Sequence, residues 1–410
     1  MLSSKVLIAK RMATATESST LYDTLRGGLG PAPWRDARHL QTLAWMLVGL
    51  LSSGHVALTK WVPFCVSRAE FAQSTQRRFE RWLHNRRIPV LRLYGALLKH
   101  ALADFQDKRV YLALDTTMRW DTYCVVYVAL AYRGRMIPLA WKVMEHGSAS
   151  VAFKDYRSLL VFLARQTGGY EAVRLADRGF VHRELMRWVK RTPGWHFRIR
   201  RKAGIGLYCW KGGRFKPLRW QVDPGRVACH HGVYATGGRE AAHLVAGWQR
   251  GAKEPWVILS DEPTEPETLH EYGLRFHIEE GFLDQKSNGF QWESSKLRDR
   301  RALQRLCFVM AVATLALVCQ GVAVAAEGKR RAVDPHWFRG HSYARIGWDW
   351  IRHALARGKP LLDRLRLPTA ADPEPARASK RQPDHSKWRG GLPCKYHLLL
   401  PAQVAAIGKG

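Results

Sequence analysis

The chain has 410 residues, with 66 Lys+Arg against 34 Asp+Glu, a formal net charge of +32. Hydrophobic residues make up 46%, enough for two or three packed domains and too many for wholesale disorder. So large a positive excess calls for a polyanionic partner or surface, which argues against an enzyme of small neutral metabolites and puts nucleic acid first. The seven cysteines are scattered and form no C-x-x-C pair, so neither a zinc ribbon nor a disulfide framework is expected. The amino terminus carries only the apolar stretch Val6 to Ile8, against about 7–15 residues in a secretory signal, so a reduced, cytoplasmic setting is expected.

Residues 1–108 read as a helical, DNA-binding amino-terminal region. Leu40, Leu43, Met46, Leu47 and Leu50 recur at helical spacing until Ser52-Ser53-Gly54 breaks the pattern. Ser67-Arg68-Ala69-Glu70 then predicts a capped helix carrying Arg77, Arg78, Arg81 and the pair Arg86-Arg87. That basic helix suits contact with a DNA backbone or groove, and equally suits a solvated face.

From 109 the pattern changes. Val110 to Leu114 is a short apolar strand ending in Asp115, followed by a hairpin of Cys124–Tyr132 and Ile137–Met144 about Arg133-Gly134-Arg135. A helix over 153–166, a strand ending before Asp177, a helix over 181–190 and a strand over 195–200 complete an alternating α/β segment at 109–200. Residues 201–255, dense in Gly, Trp and short β-type runs, predict an all-β insertion. The α/β pattern resumes over 256–330, and 331–410 reads as a carboxy-terminal basic region ending in a proline-rich tail. Within it, Leu306 to Ala326 reaches the length of a membrane span, but its Ala content and its arginine-rich lead-in favour a helix buried in a large core.

Asp115 and Asp177 each end an apolar run that reads as a central strand. Carboxylates there are exposed at the carboxyl edge of the sheet, where α/β folds place their ligands. Together they make half of a hard-metal site, because Mg2+ prefers carboxylate oxygens. On a helix at about 100° per residue, Tyr272, Arg275, Glu279 and Lys286 fall within about 60° of one another.

Tyr272-x2-Arg275-x3-Glu279-x6-Lys286 matches the Y-R-E-K signature of the insertion-sequence-four family of DDE transposases, which this chain resembles. Leu114-Asp115-Thr116-Thr117 and Leu175-Ala176-Asp177-Arg178-Gly179-Phe180 resemble that family's first and second aspartate motifs. Asp177 follows Asp115 by 62 residues and Glu279 follows Asp177 by 102, room for the family's β-rich insertion. The resemblance covers about residues 110–350 well and the amino-terminal helices more loosely.

The resemblance implies an RNase H-like catalytic core, a mixed sheet flanked by helices, in which Asp115, Asp177 and Glu279 hold two Mg2+ ions, with Mn2+ able to substitute. It implies hydrolysis of a phosphodiester at each transposon end, followed by attack of the freed 3′-hydroxyl. Tyr272, Arg275 and Lys286, with Arg178 beside the second aspartate, are implied contacts to double-stranded DNA. Trp210, Trp220 and Trp248 are candidates for holding an extruded base. A homodimer on DNA in the bacterial nucleoid is expected, without a membrane partner. The alternative class is a retired transposase relative that binds DNA without cutting it.

Other motifs carry less. Cys229-His230-His231 with His243 lacks the spacing of a structural zinc site. Gly340-His341-Ser342-Tyr343-Ala344 lacks the last glycine of a nucleophile elbow. No phosphate loop or dinucleotide fingerprint occurs. Asp121 reads as a solvated turn.

Overall fold

The computed structural model describes residues 4–375, apart from 202–205, 219, 236–239, 287–288 and 363–364, together with the backbone of 394–397; side chains are described from residue 15. The amino-terminal region is α1 (Ser4–Gly28), α2 (Ala37–Ser53), the single turn α3 (Leu58–Trp61), α4 (Ala72–His84) and α5 (Val90–Ala101). Asp36 caps α2 by accepting from the Arg38 amide, and Gly54 ends it at φ 67, a left-handed position that glycine adopts without strain. Leu43, Met46, Leu47 and Leu50 form its buried stripe, as their spacing predicts. α4 starts later than expected. Ser67 accepts instead from the Ala69 amide in a turn, and Arg86-Arg87 lie beyond the helix.

The α/β part comprises β1 (Arg109–Arg119), β2 (Tyr123–Tyr132), β3 (Arg135–Glu145), α6 (Phe153–Gln166), β4 (Glu171–Ala176), α7 (Arg183–Lys190) and β5 (Trp195–Arg200). Arg133 (φ 47) and Gly134 (φ 86) turn the β2–β3 hairpin with positive φ at both central residues, the geometry that matches strand twist. β6 (Tyr208–Lys211), β7 (Arg214–Pro217), β8 (Val227–Ala235), β9 (Glu240–Gly247) and β10 (Trp256–Ser260) follow. Then come α8 (Glu267–Gly273), α9 (Phe276–Gln285), α10 (Arg300–Ala326), α11 (Tyr343–Ala356) and the short β11 (Cys394–His397). Of the tail expected from 367, residues 367–375 pack back on the fold, the Leu367 amide donating to the Ala101 carbonyl and Tyr343 to Asp372, and 376–393 and 398–410 lie outside the described residues.

One mixed sheet runs β3-β2-β1-β4-β5-β10-β9-β8-β6-β7, with β11 beside β8. β1, β4 and β5 are parallel, and the other pairs on the path are antiparallel. The strands expected as a separate all-β insertion therefore extend the same sheet through β10, leaving only the β6–β7 hairpin at its outer edge.

α10 is the axis of the core. It is long and apolar enough to cross a membrane, and 89% of its most apolar window is buried inside the protein. Asp299 caps it by accepting from the Ala302 amide. Around it pack α11, β3, α2, α4 and α5. Trp141 donates to the Gln304 carbonyl at 2.9 Å and Arg305 to the Leu83 carbonyl at 3.2 Å, tying sheet and amino-terminal helices to the same turns. α11 crosses at glycines: a Cβ on Gly321 would lie 1.9 Å from the Tyr343 carbonyl oxygen, and one on Gly347 2.0 Å from that of Leu317. Ser342, in the expected near-elbow motif, caps α11.

Candidate catalytic edge

β1 outruns its parallel neighbour. The last β1–β4 pair is Leu114 with Ala176; β4 then stops, and the Asp177 carbonyl accepts from the Phe180 amide in a 3-10 turn. β1 itself does not end at Asp115, as its apolar run predicts. It continues to Arg119, because Thr116, Thr117 and Met118 keep pairing with Val126, Val125 and Cys124 of β2. Asp115 and Asp177 are thus adjacent at the place where one flank of β1 opens.

The third carboxylate arrives on α9, which with α8 lies over the face bearing Tyr111 and Asp115. Tyr111 donates to Glu271 at 2.7 Å, and Arg275 to Asp115 at 3.1 Å. The expected continuous helix is tightened between Gly273 and Phe276, where the amides of Leu274, Arg275, His277 and Ile278 bond three residues back. Glycine's low helix propensity accounts for a break there.

The four signature residues consequently differ in setting. Tyr272 is fully buried, edge-on to Trp256 at 5.5 Å and packed with Val245, Ile258 and Leu269; no partner meets its hydroxyl. Of the four, Tyr272 is therefore the one whose ring packs into the core. Arg275, 5% exposed, bridges Asp115 and Glu279, the latter at 2.6 Å. Glu279 is half exposed, and Lys286, past the end of α9, faces Glu293 at 3.7 Å.

Burial pushes the Asp115 carboxyl up to about 6; Arg275 and the Thr116 amide oppose the shift, while Asp177 and Glu279 add to it. Three carboxylates that feel one another share one buried arginine. Such a set of hard oxygen donors suits a divalent cation. Among the described residues, the trios whose ligand atoms lie within 4.8 Å of one another are elsewhere. In one, Glu171, His196 and Glu262 interleave with Arg109 and Arg198. In the other, Asp334 accepts from the backbone of His336, Gly340 and His341 and pairs with Arg330, which marks the organising centre of a loop.

Of the expected DNA contacts, Arg178 is exposed at this edge, 3.6 Å from Glu254, which also pairs with Arg200. Arg77 and Arg81 are exposed on α4; Arg78 is half-buried, its Nε and Nη2 unpartnered. Arg78 and Arg81 line a groove of about 720 Å³ with Arg87 and with Arg38 and His39, the last two of which gave no sequence signal. Trp220 lies under Arg201, just past the end of β5, and the Trp248 indole closes the 248–252 turn onto the Ala252 carbonyl. Trp210 is the exposed one, packed on Phe215 in the outermost hairpin. It is five strands from β4, about 24 Å at ordinary strand spacing. Asp121 sits in an exposed turn with φ 52.

Residues 124–316 match the family model described as Transposase DDE domain, which supports a DDE-type transposase. Asp177 and Glu279 fall inside the matched segment and Asp115 just before it. No curated protein matches the chain. A solved structure, the cryo-EM structure of piggyBac transposase synaptic complex with hairpin DNA, is similar at 10% identity, with a TM-score of 0.42 over 85% of this chain and 80% of that one.

Proposed function

We propose that this chain is a metal-dependent transposase of an insertion sequence that cuts the terminal inverted repeats of its element and joins the freed 3′-hydroxyl to target DNA. The observation that carries the reading is the opened flank of β1, where Asp115 and Asp177 stand side by side under a helix that brings Glu279 to Arg275. The antiparallel β3-β2-β1 meander continued by parallel β4 and β5 supports an RNase H-like core.

Asp115, Asp177 and Glu279 would hold two Mg2+ ions, or Mn2+. The donor set fits, since a guanidinium already rests against two of its three carboxylates. Bound ions would supply activation of a water or 3′-hydroxyl on one side and charge stabilisation of the leaving oxygen on the other. Arg275 meanwhile draws Asp115 and Glu279 together and opposes the effect of burial on Asp115. Once released from them, its fork of donors can take a phosphate in two parallel hydrogen bonds. Arg178 would offer positive charge at the rim, and one of Trp210, Trp220 and Trp248 would stack on a base drawn from the duplex. A homodimer brings the two ends to be cut into one assembly.

The test uses the purified protein, its Asp177→Asn variant and labelled DNA carrying the gene's own flanks, incubated with Mg2+ or with EDTA and run on a denaturing gel. Cutting at the element boundary by the wild type with metal alone is the expected result. Tight binding without cutting by either protein would instead establish the retired, DNA-binding form.

A further inference from the structure

The first turns of α5 stand between two grooves that share Leu91 and Arg92. Towards α6 lies a groove of about 650 Å³ with Lys154, Arg157 and Arg165 on its wall and Val161 and Phe162 among its apolar lining. Towards α10 lies another of about 610 Å³, bordered by Arg86 and Arg301. No carboxylate lines either groove. Of the seven cations lining the two grooves, Arg305 is buried against the Leu83 and Arg301 carbonyls; the other six are exposed, and among the described residues none of these six forms an ion pair. The only acid on α6, Asp155, is turned back to accept from the Ala152 amide.

Some arginines of the fold lie in matched sets. Arg109 and Arg198, at the opposite end of the parallel strands, each hold glutamates. Clustering six unmatched charges raises self-repulsion, which a polyanion relieves. The layout also has a direction. Lys154, Arg157 and Arg165 fall within about 80° on α6 and span about 16 Å of its length. A duplex strand rises about 3.4 Å per nucleotide, so the stripe can follow several successive phosphates. Its Lys154 end adjoins the catalytic edge, where Thr116, next to Asp115, donates to the Ala149 carbonyl at 3.0 Å.

We propose that this double groove is a phosphate track for the duplex segment leading away from the catalytic edge, separate from the α2–α4 groove. It rests on the DNA-processing reading above and adds where the duplex runs beyond the cut. Arg92, Arg157 and Arg165 position the backbone without touching the reacting atoms.

The test measures fluorescence anisotropy of a 40-base-pair duplex of random sequence between 50 and 300 mM KCl. It compares the wild type, the triple variant Arg92→Gln/Arg157→Gln/Arg165→Gln, and a control that removes the same charge from the end of α11 and the turn after it, Arg352→Gln/Arg357→Gln/Lys359→Gln. Circular dichroism checks that all three are folded. Each lost phosphate contact lowers the slope of log K against log salt by about 0.9, so the groove variant is expected to lose about 2.7 and the control less than half of that. Equal slopes for groove variant and wild type, or equal losses in both triples, overturn the track and leave the transposase reading standing. A wild type with no salt-dependent binding overturns both.

Discussion

The two ends of the parallel strands carry the same residue types and use them differently. At the amino-terminal end, Arg109 and Arg198 reach Glu171, Glu262 and Glu271 in a closed set of ion pairs. Burial opposes the Glu262 charge there, yet hydrogen bonds from Arg109 and Arg198 hold its carboxyl down at about 2. At the carboxyl end, Arg275 alone serves Asp115 and Glu279, and burial pushes Asp115 up to about 6. A matched set holds elements together. An under-matched one keeps a demand for positive charge that a cation from solution can meet, and perturbed carboxylates in such a setting are candidates for chemistry.

The sharpest way to break this contrast is to neutralise one acid at each end. Asp177→Asn should lower metal-dependent cutting more than about 1,000-fold, the scale of removing a member of a catalytic unit, with duplex affinity retained. Glu262→Gln should leave cutting in place but lower stability by about 2–4 kcal/mol, read from urea unfolding, because Arg198 would keep a buried charge with fewer partners. Equal loss of cutting in both variants would erase the distinction.

Acidity offers a second contrast, measured as unfolding free energy in EDTA. Asp115 binds a proton in the folded state that the unfolded chain has released above its ordinary value of 3.8. Its contribution to stability is therefore largest at low pH and falls, by about 3 kcal/mol at most, as pH rises from about 4 to 6. Glu262 behaves oppositely. Its contribution is complete above its ordinary 4.5 and is lost as pH falls through about 2. Asp115→Asn should remove the first slope and leave the second, and persistence of the first would reassign it to another group. The smallest effect concerns Arg275→Gln, which should destabilise the metal-free protein by about 1–2 kcal/mol by leaving two carboxylates without their shared donor. Added Mn2+ should then raise its melting temperature more than it raises that of the wild type.

Much of the candidate site was legible because it rests on local patterns. Apolar runs that stop at Asp115 and Asp177 reported the edge of a sheet, and helical spacing brought Arg275 close to Glu279. The burial of Tyr272 was not legible, because angle on a helix says nothing about what covers that face; Trp256 and the β8–β10 strands do so here. The continuation of β1 past Asp115 depends on its hairpin partner β2, and the merging of β8 and β9 into the main sheet depends on β10 pairing with β5, a contact between distant segments. α1 escaped notice because its buried stripe of Ser18, Leu21 and Leu25 is narrow. The track cations at 86, 92, 154, 157, 165 and 301 come from three helices and a turn, so no window of sequence contains them.

Because α10 supplies one wall for α2, α4 and β3 alike, the order in which the chain is made has a cost in time. Trp141 must wait for Gln304, and Leu83 for Arg305, a delay of 163 and 222 residues. At about 5–20 residues per second on a ribosome, their apolar faces stay uncovered for roughly 10–40 s. During that interval the nascent protein holds its future core open to other molecules. A fragment ending before Arg300 would stay in that condition permanently, and its solubility against the full chain would measure how much protection the late helix brings.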